Sequence, residues 1–87
     1  MRKVRIGIVG CGAIGSSLAK IVARDFSKVA CLSALYDINL KKARDLSHKL
    51  SRKAAVGKLN QLIKNSDLVI EAASAKVSAD IAYAALN

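Results

Sequence analysis

Proline and tryptophan are absent from this 87-residue sequence, and cysteine and histidine are scarce at two and one. So few thiols and imidazoles do not frame a disulfide scaffold or a structural zinc module. Aromatic residues make up only 3%, namely Phe26, Tyr36 and Tyr83, too few for a base-stacking platform. No uncharged apolar run approaches the ~18 residues of a membrane span. The N-terminus has the outward shape of a secretory leader, with Arg2, Lys3 and Arg5 ahead of an uncharged run from Ile6 to Ala19. Four glycines within that run, Gly7, Gly10, Gly12 and Gly15, disfavour the helix such a leader adopts. The sequence therefore reads as cytoplasmic.

What is present is aliphatic and basic. Hydrophobic residues reach 53%, enough for one small domain with a core of Ile, Leu, Val and Ala. Fifteen Lys and Arg against six Asp and Glu give a net charge of +9. The excess is local: Lys41, Lys42, Arg44, Lys49, Arg52, Lys53 and Lys58 face one acid, Asp45. Such a run reads first as a solvated helix face and its following loop. Without a recognition motif or aromatic platform, nucleic-acid binding is the weakest reading of it.

Apolar patterning sets the architecture. Val4 to Val9 is apolar at nearly every position, as a strand covered on both faces requires. From about Ala13 to Arg24, Ile14, Leu18, Ile21 and Val22 fall on one helical stripe. Val29 to Tyr36 forms a second uncharged strand, stopped by Asp37. Asn39 is placed to cap a helix carrying Ala43, Leu46 and Leu50 on one face, with His48 projecting opposite them into solvent. Ala54 to Val56 makes the weakest strand, Lys58 to Lys64 a short helix, and Leu68-Val69-Ile70 another buried strand. Ser74 then caps a last helix bearing Val77, Ile81, Ala84 and Ala85. Strand alternates with helix four times, which implies a parallel sheet with right-handed crossovers. If Cys11 ends one strand and Cys31 begins its parallel neighbour, the two lie too far apart to bridge and are free thiols.

Gly10-Cys11-Gly12-Ala13-Ile14-Gly15 matches G-x-G-x-x-G, and its context gives the match weight. It follows a buried strand and opens an amphipathic helix, and Asp37 ends the second strand 22 positions beyond Gly15 (37 minus 15). This is the dinucleotide-binding arrangement. Gly10 permits the tight turn, Gly12 lets the backbone approach a pyrophosphate, and Gly15 lets the helix lie close on the strand. The N–H groups of Gly12, Ala13 and Ile14 stand at the positive end of the helix dipole as phosphate donors. Asp37 is suited to the adenosine ribose hydroxyls, which favours NAD. Lys41 and Lys42, one helical turn on, could neutralise that carboxylate or reach a 2′-phosphate, so both NAD and NADP stay open. The expected fold is α/β, a Rossmann-like parallel sheet of strand order 3-2-1-4 with helices on both faces.

In that order the crevice at the switch point lies between the carboxyl ends of strands one and four. Glu71-Ala72-Ala73-Ser74 ends the fourth strand there. Ala72 and Ala73 are small enough for close approach of the nicotinamide ribose, and Ser74 can bond a ribose hydroxyl or cap its helix. For Glu71, a hydrogen-bonded, partly buried acid and a cofactor contact are equal alternatives.

The segments KVRIGIVGCGAIGSSLAK, SALYD and SDLVIEAAS, in this order and spacing, resemble the NAD(P)-dependent L-aspartate dehydrogenases of archaea and some bacteria. The resemblance implies oxidative deamination of L-aspartate in NAD biosynthesis. It also implies cofactor contacts at Gly10, Gly12, Ala13, Ile14, Asp37, Ala73 and Ser74. Residues 1–87 would then be the nucleotide-binding portion, truncated relative to a complete domain and without the substrate domain that carries the catalytic His. No catalytic or metal-ligating residue is assigned in the chain. Homoserine dehydrogenase and dihydrodipicolinate reductase-like enzymes, and a non-catalytic dinucleotide-binding module, are the alternatives. The open apolar edge of strand four is expected to seek a partner chain or a second copy.

Overall fold

The computed structural model describes residues 2–50 and 54–72. They form β1 (Val4–Val9), α1 (Ala13–Asp25), β2 (Ala30–Tyr36), α2 (Leu40–Lys49), β3 (Ala55–Val56), α3 (Leu59–Lys64) and β4 (Leu68–Glu71). The strands make one parallel sheet in the order β3-β2-β1-β4, as the sequence predicts. The helix expected from Ser74 lies outside the described residues.

Alternation along the strands sends side chains to two layers. Ile6 and Ile8 of β1 and Leu35 of β2 pack with Ala19 and Val22 of α1 and with Ala43, Leu46 and Leu50 on the α2 side. Val9 and Ala34 pack on the other face against Leu62 of α3, with Tyr36 beside them. Ile8 and Leu35 are fully buried, each stabilising the fold by about 1.5–3 kcal/mol. The helices therefore cover both faces, and the C-terminal ends of β1, β2 and β4 meet at one edge.

Two expectations about burial are corrected. On α1 the face toward the sheet is Gly15, Ala19 and Val22, while Ile14 and Ile21 are exposed. Small residues bring the helix axis close to the strands, which turns the bulkier side chains outward. In β4, Leu68 and Val69 are exposed rather than buried, because β4 is the edge strand among the described residues. β3 is reduced to two residues.

Local bonds fix the register. The β1–β2 ladder shifts between Ile6 and Gly7, leaving Ser33 without a cross-strand partner. Its hydroxyl donates to the Ile6 carbonyl at 3.3 Å and meets the Ser66 hydroxyl at 2.9 Å. Asn39 caps α2 as expected, accepting from the Lys41 N–H at 3.1 Å. Ser47, a polar residue in the apolar interior, donates to the Ala54 carbonyl at 2.8 Å and so is satisfied. Asp67 accepts from the Arg5 backbone N–H at 2.8 Å and from its guanidinium at 3.1 and 3.3 Å, tying the entry of β4 to β1. These hydrogen bonds hold the Asp67 carboxyl down at about 2.

Candidate functional site

The turn between β1 and α1 is built around glycine. Gly10 has a φ of 99°, a left-handed conformation that only glycine adopts without strain. Its N–H donates to the Tyr36 carbonyl at 2.7 Å, carrying the β1–β2 ladder to the mouth of the turn. A Cβ on Gly15 would fall onto the Gly10 carbonyl, so this glycine is what lets α1 start directly above the turn. A Cβ on Gly12, by contrast, would meet nothing within 4 Å. The space beside Gly12 is open, as a backbone that receives a ligand requires.

The helix start supplies donors for that space. Gly12 is the N-cap and makes no side-chain cap bond, and the first backbone bond of the helix runs from the Ser16 N–H to the Gly12 carbonyl. Among the described residues the N–H groups of Gly12, Ala13, Ile14 and Gly15 thus have no acceptor, and they sit at the positive end of a 13-residue helix. No acidic residue occupies the first turn to compete with an anion.

Asp37, at the end of β2, faces this turn. One carboxylate oxygen accepts from the Cys11 N–H at 2.8 Å and the other from the Asn39 N–H at 2.8 Å. Two of its roughly four acceptor positions are used in this way, leaving capacity for two hydroxyl donors. The Cys11 side chain is buried beneath, its thiol 3.6 Å from the Tyr36 carbonyl. Burial and then the Asp37 charge push that thiol up to about 11, so it stays protonated and inert near neutrality. Cys11 and Cys31 are both free.

A cavity of about 330 Å³ opens beside the turn, lined by Val9, Gly10, Tyr36, Asp37, Ile38, Leu59 and Glu71. It brings Asp37 and Glu71 to one crevice. Ile38, Tyr36 and Leu59 were not picked out from the sequence. Ile38 is 94% exposed, an apolar side chain standing beside the carboxylate, and its place directly after Asp37 was the available signal. Ala72 does not line the crevice: its N–H donates to the Val9 carbonyl at 2.7 Å and its methyl is buried in the core. Its contribution is to carry the chain past β1. Ala73 and Ser74 lie outside the described residues. His48 is exposed, as expected. Among the described residues no group of His, Cys, Asp and Glu is arranged to hold a metal ion, and no helix is long and apolar enough to cross a membrane.

A parallel sheet of order β3-β2-β1-β4, a glycine turn opening onto free helix N–H groups and an acid at the end of β2 together define a Rossmann-type nucleotide-binding domain. The family described as "Homoserine dehydrogenase, NAD binding domain" matches residues 10–87, and the chain belongs to it. Its cofactor class is NAD or NADP. The L-aspartate dehydrogenase of Methanocaldococcus jannaschii is 44% identical over 84 residues, which are 95% of this chain and 31% of that protein. That of Methanocella arvoryzae is 37% identical over 83 residues, 95% of this chain and 30% of that protein. The chain thus spans about a third of these relatives. Among solved structures, UDP-N-acetylglucosamine 3-dehydrogenase GnnA from Acidithiobacillus ferrooxidans superposes with a TM-score of 0.69 at 23% identity. The match covers 98% of this chain and 28% of that one, and it establishes the shared fold.

Proposed function

We propose that residues 1–87 are the nucleotide-binding portion of a cytoplasmic L-aspartate dehydrogenase-like enzyme, with the substrate site and catalytic side chains supplied by sequence outside this chain. The observation that carries the reading is the open space at Gly12 in front of four acceptor-less N–H groups, with Asp37 fixed beside it. The N–H groups of Gly12, Ala13 and Ile14 would bind the pyrophosphate, with Gly10 and Gly15 shaping the turn around it. The free oxygen positions of Asp37 would accept the adenosine ribose hydroxyls, and Ile38, Tyr36 and Leu59 would form the apolar surround of the adenosine. Ala72, Ala73 and Ser74 would lead the chain along the nicotinamide half. When bound, the nicotinamide supplies hydride-accepting chemistry.

The substrate assignment rests on the 44% identity to an L-aspartate dehydrogenase. The family description favours homoserine as a second substrate class. Asp37 favours NAD, because its charge repels a 2′-phosphate. Lys42 lines the same groove as Cys11 and Gly12, where it could offset that repulsion, so NADP is expected to bind more weakly rather than be excluded. The exposed edge at Leu68 and Val69 would pair with a further strand or partner chain. Fluorescence titration with NADH and NADPH tests the assignment. Wild-type chain is expected to bind NADH more tightly, and Asp37→Ala to lose on the order of tenfold or more in NADH affinity, about 1.4 kcal/mol per tenfold, with NADPH affected less. Equal loss for both coenzymes would refute the ribose role of Asp37. Absence of NADH binding by the folded wild-type chain would refute the reading of the site.

A further inference from the structure

The Cys11–Gly12 peptide joins the acid at the end of β2 to the first turn of α1, and Cys11 is held from both sides. On the β2 side its N–H donates to Asp37 at 2.8 Å, and its thiol donates to the Tyr36 carbonyl at 3.6 Å. On the α1 side the half-buried Ser16 reaches back, its hydroxyl donating to the Cys11 carbonyl at 3.2 Å. Among the described residues no second donor reaches that carbonyl. The Ser16 N–H is spent on the Gly12 carbonyl at 2.8 Å, so the hydroxyl is a separate tie. The peptide is trans, and its carbonyl and N–H therefore point in opposite directions. A carbonyl drawn back toward Ser16 lies along the carbonyls of the helix. It sends the Gly12 N–H the other way, out of the helix start beside the N–H groups of Ala13 and Ile14.

Resting on the nucleotide-binding reading of this turn, we propose that Ser16 is a positioning residue for the pyrophosphate. Its hydroxyl holds the Cys11–Gly12 peptide in the orientation that adds the Gly12 N–H to the donors of the helix. The opposite orientation is close at hand without it. A peptide turns over by opposed rotations about the ψ before it and the φ after it, and here the φ belongs to a glycine with open space where a Cβ would stand. The Asp37 bond does not prevent this, because it holds the N–H of the preceding peptide. Turned over, the Cys11–Gly12 peptide would aim its carbonyl oxygen into the open space, and the partial negative charge there would oppose a phosphate. Ser16 acts in this role through the backbone and touches no ligand.

Nuclear magnetic resonance titration of the isotope-labelled full chain with ADP-ribose tests this, because it reads affinity and the response of each amide together. Ser16→Ala is expected to weaken ADP-ribose binding about fivefold, the loss of one ordinary hydrogen bond. At saturation the ligand-induced shift of the Gly12 amide should shrink, while that of the Asn39 amide, beside the ribose acid, is kept. The urea midpoint of Ser16→Ala should hold or rise, since alanine is the better helix former. Ser16→Thr keeps the hydroxyl and should bind within about twofold of wild type. Undiminished affinity in Ser16→Ala would overturn the proposal, as would Ser16→Thr binding as weakly as Ser16→Ala. Equal shrinkage at Gly12 and Asn39, or a urea midpoint that falls with the affinity, would overturn it in favour of a merely structural tie. Wild-type chain that binds no ADP-ribose would refute the nucleotide-binding reading and this role together, whereas wild-type binding left intact in Ser16→Ala refutes the role alone.

Discussion

Replacing Gly15 with Ala tests whether the close seat of α1 on the glycine turn is a structural necessity. The added Cβ would fall onto the Gly10 carbonyl oxygen, lie 2.9 Å from its carbon and come within 3.6 Å of the Ile8 side chain. The obstacle is backbone held at a φ of 99° and bonded to Tyr36, so it does not swing aside as a side-chain tip would. Overpacking of this kind costs about 1–3 kcal/mol. Alanine recovers at most about 1 kcal/mol through its higher helix propensity. A net loss of about 1–2 kcal/mol is expected, which in a domain of this size lowers the melting temperature by roughly 5–15 °C. NADH affinity should fall as well, because α1 and its N–H groups must back away from the turn. Gly12→Ala is the contrast: its Cβ enters open space at a φ of −77°, so stability should change by less than about 1 kcal/mol while NADH binding weakens about tenfold or more. Thermal unfolding followed by circular dichroism, beside NADH titration, reads both effects. A Gly15→Ala chain that melts at or above the wild-type temperature would refute the reasoning, and so would a Gly12→Ala chain that binds NADH undiminished.

Acid should loosen the first and last described strands from each other. The Asp67 carboxyl is held at about 2 by its hydrogen bonds to Arg5, so its contribution is fully present above the unfolded value near 4 and is lost as pH falls from about 4 toward 2. Urea midpoints across that window should drop less steeply for Asp67→Asn than for wild type, and parallel curves would contradict the pairing. The Cys11 thiol, pushed up to about 11, should alkylate slowly at pH 8 and faster as pH approaches 11. Mass spectrometry of iodoacetamide-treated chain, with each cysteine resolved by peptide, reads the rate, and rapid labelling of Cys11 at pH 8 would show that it is not buried under the turn.

Strand and helix order, the 3-2-1-4 topology and the glycine turn were legible in the sequence because each rests on local pattern. Ile6 and Ile8 among alternating neighbours, Asn39 at a helix start and the spacing from Gly15 to Asp37 carry their meaning within a few residues or one known unit. On α1, Leu18 and Val22 face the core as read, whereas hydrophobic periodicity weights the exposed Ile14 and Ile21 and passes over the small residues Gly15 and Ala19 that make the close contact. Leu68 and Val69 were read as buried because an apolar run shows what a strand can tolerate, not what covers it. The bonds from Asp37 to the Cys11 and Asn39 N–H groups were not legible, because a carboxylate's partners depend on how two distant segments are brought together.

The two hydrogen bonds on Asp37 carry a consequence for how coenzyme choice can change. The carboxylate proposed to select the ribose is also the clasp that holds the Cys11 N–H and the entry to α2. Removing it to admit a 2′-phosphate would leave a half-buried N–H without an acceptor, at a cost of about 1–3 kcal/mol. Asn at this position keeps one acceptor oxygen but sets its NH2 against the other N–H, so a route from NAD toward NADP at this turn gives up one of the two bonds, with Lys42 left in place to receive the phosphate. Selectivity and foldedness are inherited together at this position, and a single substitution that trades one coenzyme for the other is expected to be rarer than a paired one.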